Sequence, residues 1–203
     1  ALLVNSISKE VNLPVKEFII GGEALPKELI KNFYQRFRES QPLVTNIYGP
    51  AECCVDVTAY QVDKDKLDQL KSIPIGSPLP NRSLYILDEQ LNPVPIGVKG
   101  ELYISGEGVG RGYLNKPTLT AERFIADPFL REHRMYRTGD LARWRDDGTI
   151  DFVGRVDNQV KIRGFRIELG EIEASLVKHP EIREAVVIVD EDMPGGNLMI
   201  AYL

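Results

Sequence analysis

Long apolar segments are missing from this sequence. Its longest apolar runs, such as residues 185–189, are far shorter than the roughly 20 residues that span a bilayer, so we expect no membrane segment. An excess of basic residues is missing as well, since 25 Lys and Arg are outnumbered by 30 Asp and Glu among 203 residues. A general nucleic-acid binder needs a basic surface against the phosphates, and the formal charge of −5 therefore argues against that class.

Cysteine is scarce: Cys53 and Cys54 are the only two, and they are adjacent. Zinc ligands usually lie two or more residues apart, and a disulfide between sequence neighbours strains the peptide bond between them. We therefore expect two reduced thiols in a cytoplasmic protein, and the lack of a basic and apolar leader agrees with that location. The sequence opens on Ala-Leu-Leu-Val without Met and stops within a strand-like segment, which we interpret as a piece of a longer protein.

Residues 1–72 predict an α/β layer. Residues 15–20 are a β-branched and apolar run that ends at a Gly-Gly pair, and residues 43–48 are a second such run that ends at Gly-Pro. Between them, Pro26 suits a first helical position and apolar residues recur at helical spacing as far as Ser40. Strand, helix and strand in this order predict a parallel pair, with its ligand edge at the loops that follow the strands.

Residues 73–156 predict an antiparallel, barrel-like β subdomain. Short alternating segments lie between Gly, Pro and Asp-Gly turns, and residues 147–148 form a hairpin signal. Residues 117–124 predict one helix within it.

Residues 157–203 then predict a hairpin, an amphipathic helix and two strands, which together form a compact α+β unit. The fold class is therefore α/β with α+β, with a domain boundary near residues 155–158.

Two segments suggest nucleotide chemistry. In Tyr48-Gly49-Pro50-Ala51-Glu52, a purine can stack on the ring while the carboxylate reaches a hydrated Mg²⁺ beside phosphates, although the same residues also suit a plain strand and turn. Asp140 follows a glycine and can accept hydrogen bonds from the two hydroxyls of a ribose, or can be a turn residue.

The glycine-rich segment at residues 106–112 invites comparison with a phosphate-binding loop. Neither the dinucleotide spacing nor the Lys-Ser/Thr ending of a nucleotide P-loop is present. We therefore interpret these glycines as residues that permit tight strand corners.

Five motif stretches follow one another along the chain: residues 22–25 (Gly-Glu-Ala-Leu), 46–52 (Asn-Ile-Tyr-Gly-Pro-Ala-Glu), 100–114, 136–141 and 154–173. This series resembles the adenylation domains of nonribosomal peptide synthetases, within the superfamily of adenylate-forming enzymes. The resemblance covers nearly the whole chain, and its last stretch is the most specific. It implies that residues 1–156 are the C-terminal part of the large adenylate-forming core and that residues 157–203 begin the small mobile domain.

The resemblance also implies residue roles. Asn46 would contact the adenine amino edge, Tyr48 the adenine or ribose, and Asp140 the ribose hydroxyls with help from Arg155, while Glu52 would hold Mg²⁺. Contacts to the nucleotide are implied for Gly22, Glu23, Ala24, Asn46, Tyr48, Gly49, Ala51, Asp140 and Arg155. The amino-acid pocket would be lined by Ile19, Gly21, Ile47, Val55 and Asp56.

In the small domain, Asp157 would be the hinge between the two half-reactions, and Gly164 with Arg163 and Arg166 would line the passage for the phosphopantetheine arm. One departure is visible: Ala51 stands where the family often has Thr. A hydroxyl contact to phosphate is thereby lost, although the backbone N–H remains.

The implied activity is that of a ligase in antibiotic biosynthesis. An amino-acid carboxylate attacks the α-phosphorus of ATP, and a carrier-protein phosphopantetheine thiol then accepts the aminoacyl group. Neither step needs a protein nucleophile, which agrees with the lack of a Ser-His or Cys-His arrangement. The implied cofactors are ATP, Mg²⁺ and phosphopantetheine. The implied partners are an amino acid, a peptidyl carrier domain, a condensation domain and a small MbtH-like helper protein, with no nucleic acid and no membrane.

The family's phosphate loop and its C-terminal catalytic Lys are not among these residues, so we expect residues 1–203 alone to lack amino-acid-dependent exchange. Asp56 favours a polar substrate because a buried carboxylate needs a partner: an amide or carboxyl side chain assisted by a cation from the missing part of the domain, or a basic side chain such as ornithine or arginine. Among these, the resemblance implies glutamate or glutamine first. Two alternatives stay open. One is a free-standing acyl-CoA or aryl-acid ligase of the same superfamily, and the other is a non-catalytic module that docks a carrier protein through the basic hairpin Lys161, Arg163 and Arg166.

Overall fold

The computed structural model describes residues 14–38, 40–157, 159–162, 165–190 and 198–203. The chain divides into two compact units, Ala1–Gly154 and Arg155–Leu203. The sequence-based boundary at residues 156–157 lies two residues further along the chain. No helix in the described ranges has the length and apolar character that crossing a membrane requires.

The first unit begins with a four-stranded sheet in the order β1-β2-β3-β4. Strands β1 (Glu17–Gly21) and β2 (Leu43–Tyr48) run parallel, which confirms the prediction, and β3 (Thr58–Gln61) and β4 (Ser77–Pro78) extend the sheet antiparallel. Helix α1 (Lys27–Arg36) connects the parallel pair. It starts directly after Pro26 and ends four residues before the predicted end, because the backbone of Phe37 leaves the helical conformation.

The apolar stripe of α1 forms a core against the first sheet. Ile30, Phe33 and Phe37 are buried, and the ring of Phe18 on β1 meets the Phe33 ring edge-on, with the centroids 5.1 Å apart. These side chains together hold the helix on the parallel strands. The carboxyl ends of β1 and β2 therefore have fixed positions, and the loops that follow them are those at which the sequence predicts the ligand edge.

A five-stranded sheet follows, in which β5 (Arg82–Leu87), β6 (Gly100–Gly106), β8 (Arg134–Trp144) and β7 (Phe124–Ala126) are neighbours in that order and β9 (Ile150–Arg155) also pairs with β8. The pairs β5–β6, β6–β8 and β7–β8 are antiparallel, as predicted. Helix α2 (Pro117–Arg123) precedes β7, with proline in its first turn. The two sheets meet where Ile75 N–H donates to the Ile150 carbonyl at 2.8 Å.

The second unit contains a hairpin of β10 (Gln159–Ile162) and β11 (Phe165–Glu168), then helix α3 (Leu169–Leu176), then the antiparallel strands β12 (Val186–Asp190) and β13 (Leu198–Tyr202). This order of elements is the predicted one. Glu173 on α3 accepts a hydrogen bond from Val187 N–H at 2.8 Å, which ties the helix to β12.

Candidate functional site

Two tyrosine–carboxylate contacts join the loop after β2 to strand β8. The Tyr48 hydroxyl donates to Asp140 across a separation of 92 residues, and the Tyr136 hydroxyl donates to Glu52 at 2.9 Å across 84 residues. One partner of each pair lies in the Tyr48–Glu52 segment, and the other lies on β8. The two carboxylates that the sequence selects are thereby brought to one place in the first unit.

The loop that presents Glu52 is held by its own backbone. After Gly49 and Pro50 the chain forms a 3₁₀ turn (Ala51–Cys53), in which Cys53 N–H donates to the Pro50 carbonyl at 2.9 Å. The loop closes where Val57 N–H donates to the Tyr48 carbonyl at 2.8 Å. Within this closed loop, the buried Cys53 faces the core and Glu52 is half-buried.

Two residues in this loop have a strained backbone. Cys54 and Val55 have φ angles of 58° and 68°, in the left-handed region. For the β-branched Val55 this conformation is a genuine outlier, of a kind that costs on the order of 1–3 kcal/mol and persists only where surrounding contacts impose it. The strain lies beside Glu52 and includes one predicted substrate-pocket residue.

A bulge in β8 determines the orientation of the Asp140 side chain. Glu101 pairs with Leu141 and Tyr103 with Arg137, so three residues of β8 lie opposite Leu102 alone. Gly139 supplies the left-handed conformation in the bulge, with φ of 75°. Because a bulge bends its strand and redirects side chains, the Thr-Gly-Asp sequence turns Asp140 toward Tyr48.

The Thr138 hydroxyl holds this bulge. It donates to the Leu102 carbonyl at 2.7 Å and accepts from Asp140 N–H at 2.9 Å, while Thr138 is almost fully buried. One hydroxyl thus satisfies two backbone groups that the irregular pairing separates from the strand ladder. The position of the Asp140 backbone therefore depends on Thr138.

We predict that Thr138→Val lowers the free energy of unfolding by about 1–3 kcal/mol, because it removes the hydroxyl that bonds both the Leu102 carbonyl and the Asp140 N–H. It should also raise the KM for ATP in the intact protein. Thr58→Val is the matched control, since Thr58 is buried and its hydroxyl donates to the Ile75 carbonyl at 2.6 Å. Both variants should lose stability by thermal unfolding, and an equal rise of KM in both would contradict the special role of Thr138.

Glu52 accepts two hydrogen bonds on one carboxylate oxygen. Tyr113 and Tyr136 donate to Oε1 at 2.7 and 2.9 Å, and their hydroxyl oxygens are 3.1 Å apart. The Glu52 carbonyl accepts from Gly110 N–H at 2.8 Å. Both the backbone and the side chain of Glu52 are therefore anchored to the second sheet and its loops.

The glycine-rich segment positions Tyr113. Gly106 and Gly112 have φ angles of 114° and 139°, as tight corners require, which confirms that interpretation. A Cβ at Gly112 would lie 2.3 Å from the methyl carbon of Thr120, whose hydroxyl accepts Tyr113 N–H at 2.9 Å. The segment thus packs on α2 and supports a tyrosine of the site.

The two cysteines are both free thiols. Burial, together with the neighbouring Glu52 charge, raises the pKa of the Cys53 thiol to about 12. Because the thiolate is the reactive form, Cys53 is unreactive at neutral pH. It contributes to the core instead of acting as a nucleophile.

Five other residues predicted to contact the nucleotide differ in burial: one is buried and four are exposed. Asn46 is buried, and its side-chain amide donates to the Pro74 carbonyl at 2.7 Å, so that group stabilises the first unit. Gly22, Glu23 and Ala24 lie exposed in the loop after β1, and Ala51 is exposed at the start of the 3₁₀ turn. Gly22, Glu23 and Ala24 thus follow β1, and Ala51 follows β2. Both loops lie at the expected edge of the sheet.

Two of the predicted substrate-pocket residues are in contact at this edge. Gly21 pairs with Ile47 across the parallel strands, and a Cβ at Gly21 would lie 2.6 Å from an Ile47 side-chain carbon. Ile19 and Val55 are 65% and 61% exposed. Asp56 is half-buried, which corrects the expectation of a buried carboxylate.

The remaining predicted residues belong to the second unit. Arg155 pairs with Asp157 through two hydrogen bonds of 2.6 and 2.8 Å, so the predicted ribose-assisting and hinge residues form one ion pair. Arg166 lies on β11, where its backbone pairs with that of Lys161. Arg163 and Gly164 lie outside the described residues.

The sequence did not predict three residues of the site: Tyr113, Tyr136 and Thr138. Both tyrosines lie within the motif stretches. Their hydroxyl groups, which can donate to a carboxylate, are the feature from which a role in the site could have been predicted. Among the described residues, no three His, Cys, Asp or Glu side chains group together as a metal cage. A single carboxylate such as Glu52 is compatible with Mg²⁺, which is usually held by one or two carboxylates with substrate phosphates and water as its other ligands.

The sequence is similar to large peptide synthetases. It is 51% identical over 194 residues to bacitracin synthase 1 of Bacillus licheniformis, and 52% identical over 192 residues to a dimodular nonribosomal peptide synthase of Bacillus subtilis (strain 168). The matches cover 96% and 94% of this chain. The chain spans only 4% and 8% of the lengths of these two relatives.

Solved structures resemble this fold. Holo-PA1221, an NRPS protein containing adenylation and PCP domains bound to a vinylsulfonamide inhibitor, matches with a TM-score of 0.83 and 29% identity over 92% of this chain and 32% of its own. The fold is that of part of an adenylate-forming domain. A family model described as AMP-binding enzyme matches residues 3–114, and the chain belongs to this family.

Proposed function

We propose that this chain is part of an adenylation domain of a cytoplasmic nonribosomal peptide synthetase. The intact protein activates an amino acid with ATP as the aminoacyl adenylate, releases pyrophosphate, and transfers the aminoacyl group to a phosphopantetheine thiol on a carrier domain. The observation that supports this most directly is the pair of contacts that joins Tyr48 to Asp140 and Tyr136 to Glu52. Through these contacts, the proposed ribose ligand Asp140 and the proposed metal ligand Glu52 both lie where the Tyr48–Glu52 segment meets strand β8.

In this proposal the nucleotide lies along the loop after β2. The Tyr48 ring packs against the adenine or the ribose, and Asp140 accepts hydrogen bonds from the ribose hydroxyls. Asn46 contributes to the adenine edge from its buried position, and the Ala51 backbone N–H is directed to phosphate. Gly22, Glu23, Ala24 and Gly49 complete this edge, and Arg155 assists at the ribose.

Glu52 is the ligand for Mg²⁺ in this proposal. When bound, Mg²⁺ neutralises phosphate charge and orients the phosphates for in-line attack. The half-buried carboxylate, held on Oε1 by two tyrosine hydroxyls, presents an ordered oxygen ligand. The protein thus contributes orientation and electrostatic stabilisation, and the nucleophiles are the substrate carboxylate and the carrier thiol.

The second unit would serve the transfer step. Asp157 is the hinge in this proposal, and Gly164 with Arg163 and Arg166 lines the passage for the phosphopantetheine arm. Partners of the intact protein would be a peptidyl carrier domain, a condensation domain and a small MbtH-like helper. The solved neighbour whose description names adenylation and PCP domains supports the carrier domain as a partner.

The substrate pocket would contain Ile19, Gly21, Ile47, Val55 and Asp56. Asp56 is the one charged group among them, and a half-buried carboxylate favours a partner that donates hydrogen bonds or carries positive charge. We therefore propose a polar substrate side chain. The family resemblance places glutamate or glutamine first, with a carboxyl side chain assisted by a cation from outside these residues, and ornithine and arginine next.

The test is amino-acid-dependent ATP–pyrophosphate exchange by the intact protein with a panel of amino acids. We expect exchange with a polar amino acid and loss of ATP binding in Asp140→Ala. A clear preference for leucine or valine would remove the argument from Asp56. Exchange only with aryl or fatty acids in the presence of coenzyme A would favour the acyl-CoA ligase alternative, and intact carrier binding without ATP binding would favour the docking module.

A further inference from the structure

A tyrosine pair surrounds the Glu52 carboxylate within the first unit. The Tyr113 and Tyr136 hydroxyls donate to the same oxygen, Oε1, and the two hydroxyl oxygens are themselves within hydrogen-bond distance. Tyr113 and Tyr136 come from different elements, a glycine-rich loop and β8. The three polar groups form a triangle whose geometry does not depend on a single loop.

The rings of both tyrosines are fixed by packing. Phe124 packs against both, with ring centroids 5.4 Å from Tyr113 and 5.0 Å from Tyr136, and Arg134 lies over the Phe124 ring at 5.8 Å. Tyr136 is fully buried, and the backbone N–H of Tyr113 is bonded to Thr120. The hydroxyls therefore have little freedom to follow a moving carboxylate.

We infer that Tyr113 and Tyr136 are positioning residues that fix the orientation of the Glu52 carboxylate for Mg²⁺. Two donors on one oxygen restrain the carboxylate plane, so its orientation is set before the metal and nucleotide arrive. Hydrogen-bond partners of a ligating carboxylate commonly change metal affinity by about 10- to 100-fold when they are removed. This inference rests on the proposed role of Glu52.

The alternative is that the hydroxyls only stabilise the core. Tyr103 provides the comparison, because it is equally buried and its hydroxyl donates to Glu101 at 3.3 Å, outside the site. Tyr103→Phe removes a buried tyrosine–carboxylate contact of the same kind. A structural effect should therefore appear in Tyr103→Phe as well, whereas an effect on Mg²⁺ should not.

The experiment measures equilibrium binding of α,β-methylene ATP to the intact protein by calorimetry, in EDTA and at increasing Mg²⁺. For Tyr136→Phe and for Tyr113→Phe, we expect the half-saturating Mg²⁺ concentration to rise about tenfold, with binding in EDTA unchanged. Tyr103→Phe should match the wild type in both conditions. Tyr113→Phe, at a half-buried residue, keeps the test decisive if Tyr136→Phe does not fold.

An unchanged Mg²⁺ dependence in both site variants would overturn the inference, and so would the same shift in Tyr103→Phe. An equal loss of binding in EDTA and in Mg²⁺ would overturn it too, because that result indicates a structural role. Failure of the proposed function is a separate result: the wild-type protein would show Mg²⁺-dependent nucleotide binding but no exchange with any amino acid.

Discussion

Glu52→Gln is expected to lower kcat/KM for amino-acid-dependent exchange in the intact protein by about a hundredfold or more, since a lost metal contact costs several kcal/mol of transition-state stabilisation. Gln has nearly the same volume as Glu, and its amide oxygen can accept both tyrosine hydroxyls. The substitution therefore removes the negative charge while it keeps the hydrogen bonds of the site. Exchange rates over a range of Mg²⁺ concentrations, with thermal unfolding in parallel, measure the effect.

Glu101→Gln is the matched control for this prediction. Glu101 accepts the Tyr103 hydroxyl and a bidentate contact from Arg137, whose Nε and Nη2 donate to Oε1 and Oε2 at 2.9 Å each. It is therefore also a carboxylate in a tyrosine network on the second sheet. It has no proposed contact with nucleotide, and we expect its variant to keep the Mg²⁺ response of the wild type. A Glu52→Gln protein with wild-type exchange at all Mg²⁺ concentrations would refute the proposed metal role.

The order of helices and strands could be predicted from the sequence because local signals determine it. Gly-Pro closes β2 at Tyr48, Pro26 directly precedes α1, and the bounds of β2 match the predicted ones. The end of α1 was less predictable. Apolar periodicity continues through Phe37, but that side chain reaches the core from a backbone that has already left the helix.

The pairing of the site residues could not be predicted from local pattern. The bulge at Thr138 exists only because β8 has three residues opposite Leu102, and Leu102 lies 36 residues earlier in the chain. The hydroxyl contacts to Glu52 likewise come from residues 61 and 84 positions away. The motifs identified the carboxylates, whereas tertiary structure selects the groups that orient them.

Asn46 is a residue that the motif identifies as a ligand contact but that bonds the protein backbone in the structure. Its motif predicts a ligand contact, and in the structure its side-chain amide donates to the Pro74 carbonyl from a position only 3% exposed. Residue type and spacing cannot distinguish these uses, because a side-chain amide donates equally well to adenine or to a backbone carbonyl. The adenine contact of Asn46 stays a prediction.

Gly49→Ala is expected to cause the largest loss of stability among the single substitutions in this loop. A Cβ at Gly49 would lie 1.9 Å from the Val55 carbonyl oxygen and 2.7 Å from its carbonyl carbon. Backbone atoms cannot rotate away as the end of a flexible side chain can, and Val55 is already in the left-handed conformation. The loop must therefore open, at a cost of about 3 kcal/mol, in the upper range for overpacking.

Opening this loop should also impair the site, because the loop carries both Tyr48 and Glu52. We therefore expect Gly49→Ala to lower the midpoint of urea unfolding and to weaken ATP binding together. Gly148→Ala separates steric contact from the general effect of replacing glycine: its φ is 78°, and no atom lies within 4 Å of an added Cβ. That control should lose only about 1 kcal/mol through backbone strain and should keep ATP affinity. Equal losses of stability in the two variants would show that the contact with Val55 does not hold the loop closed.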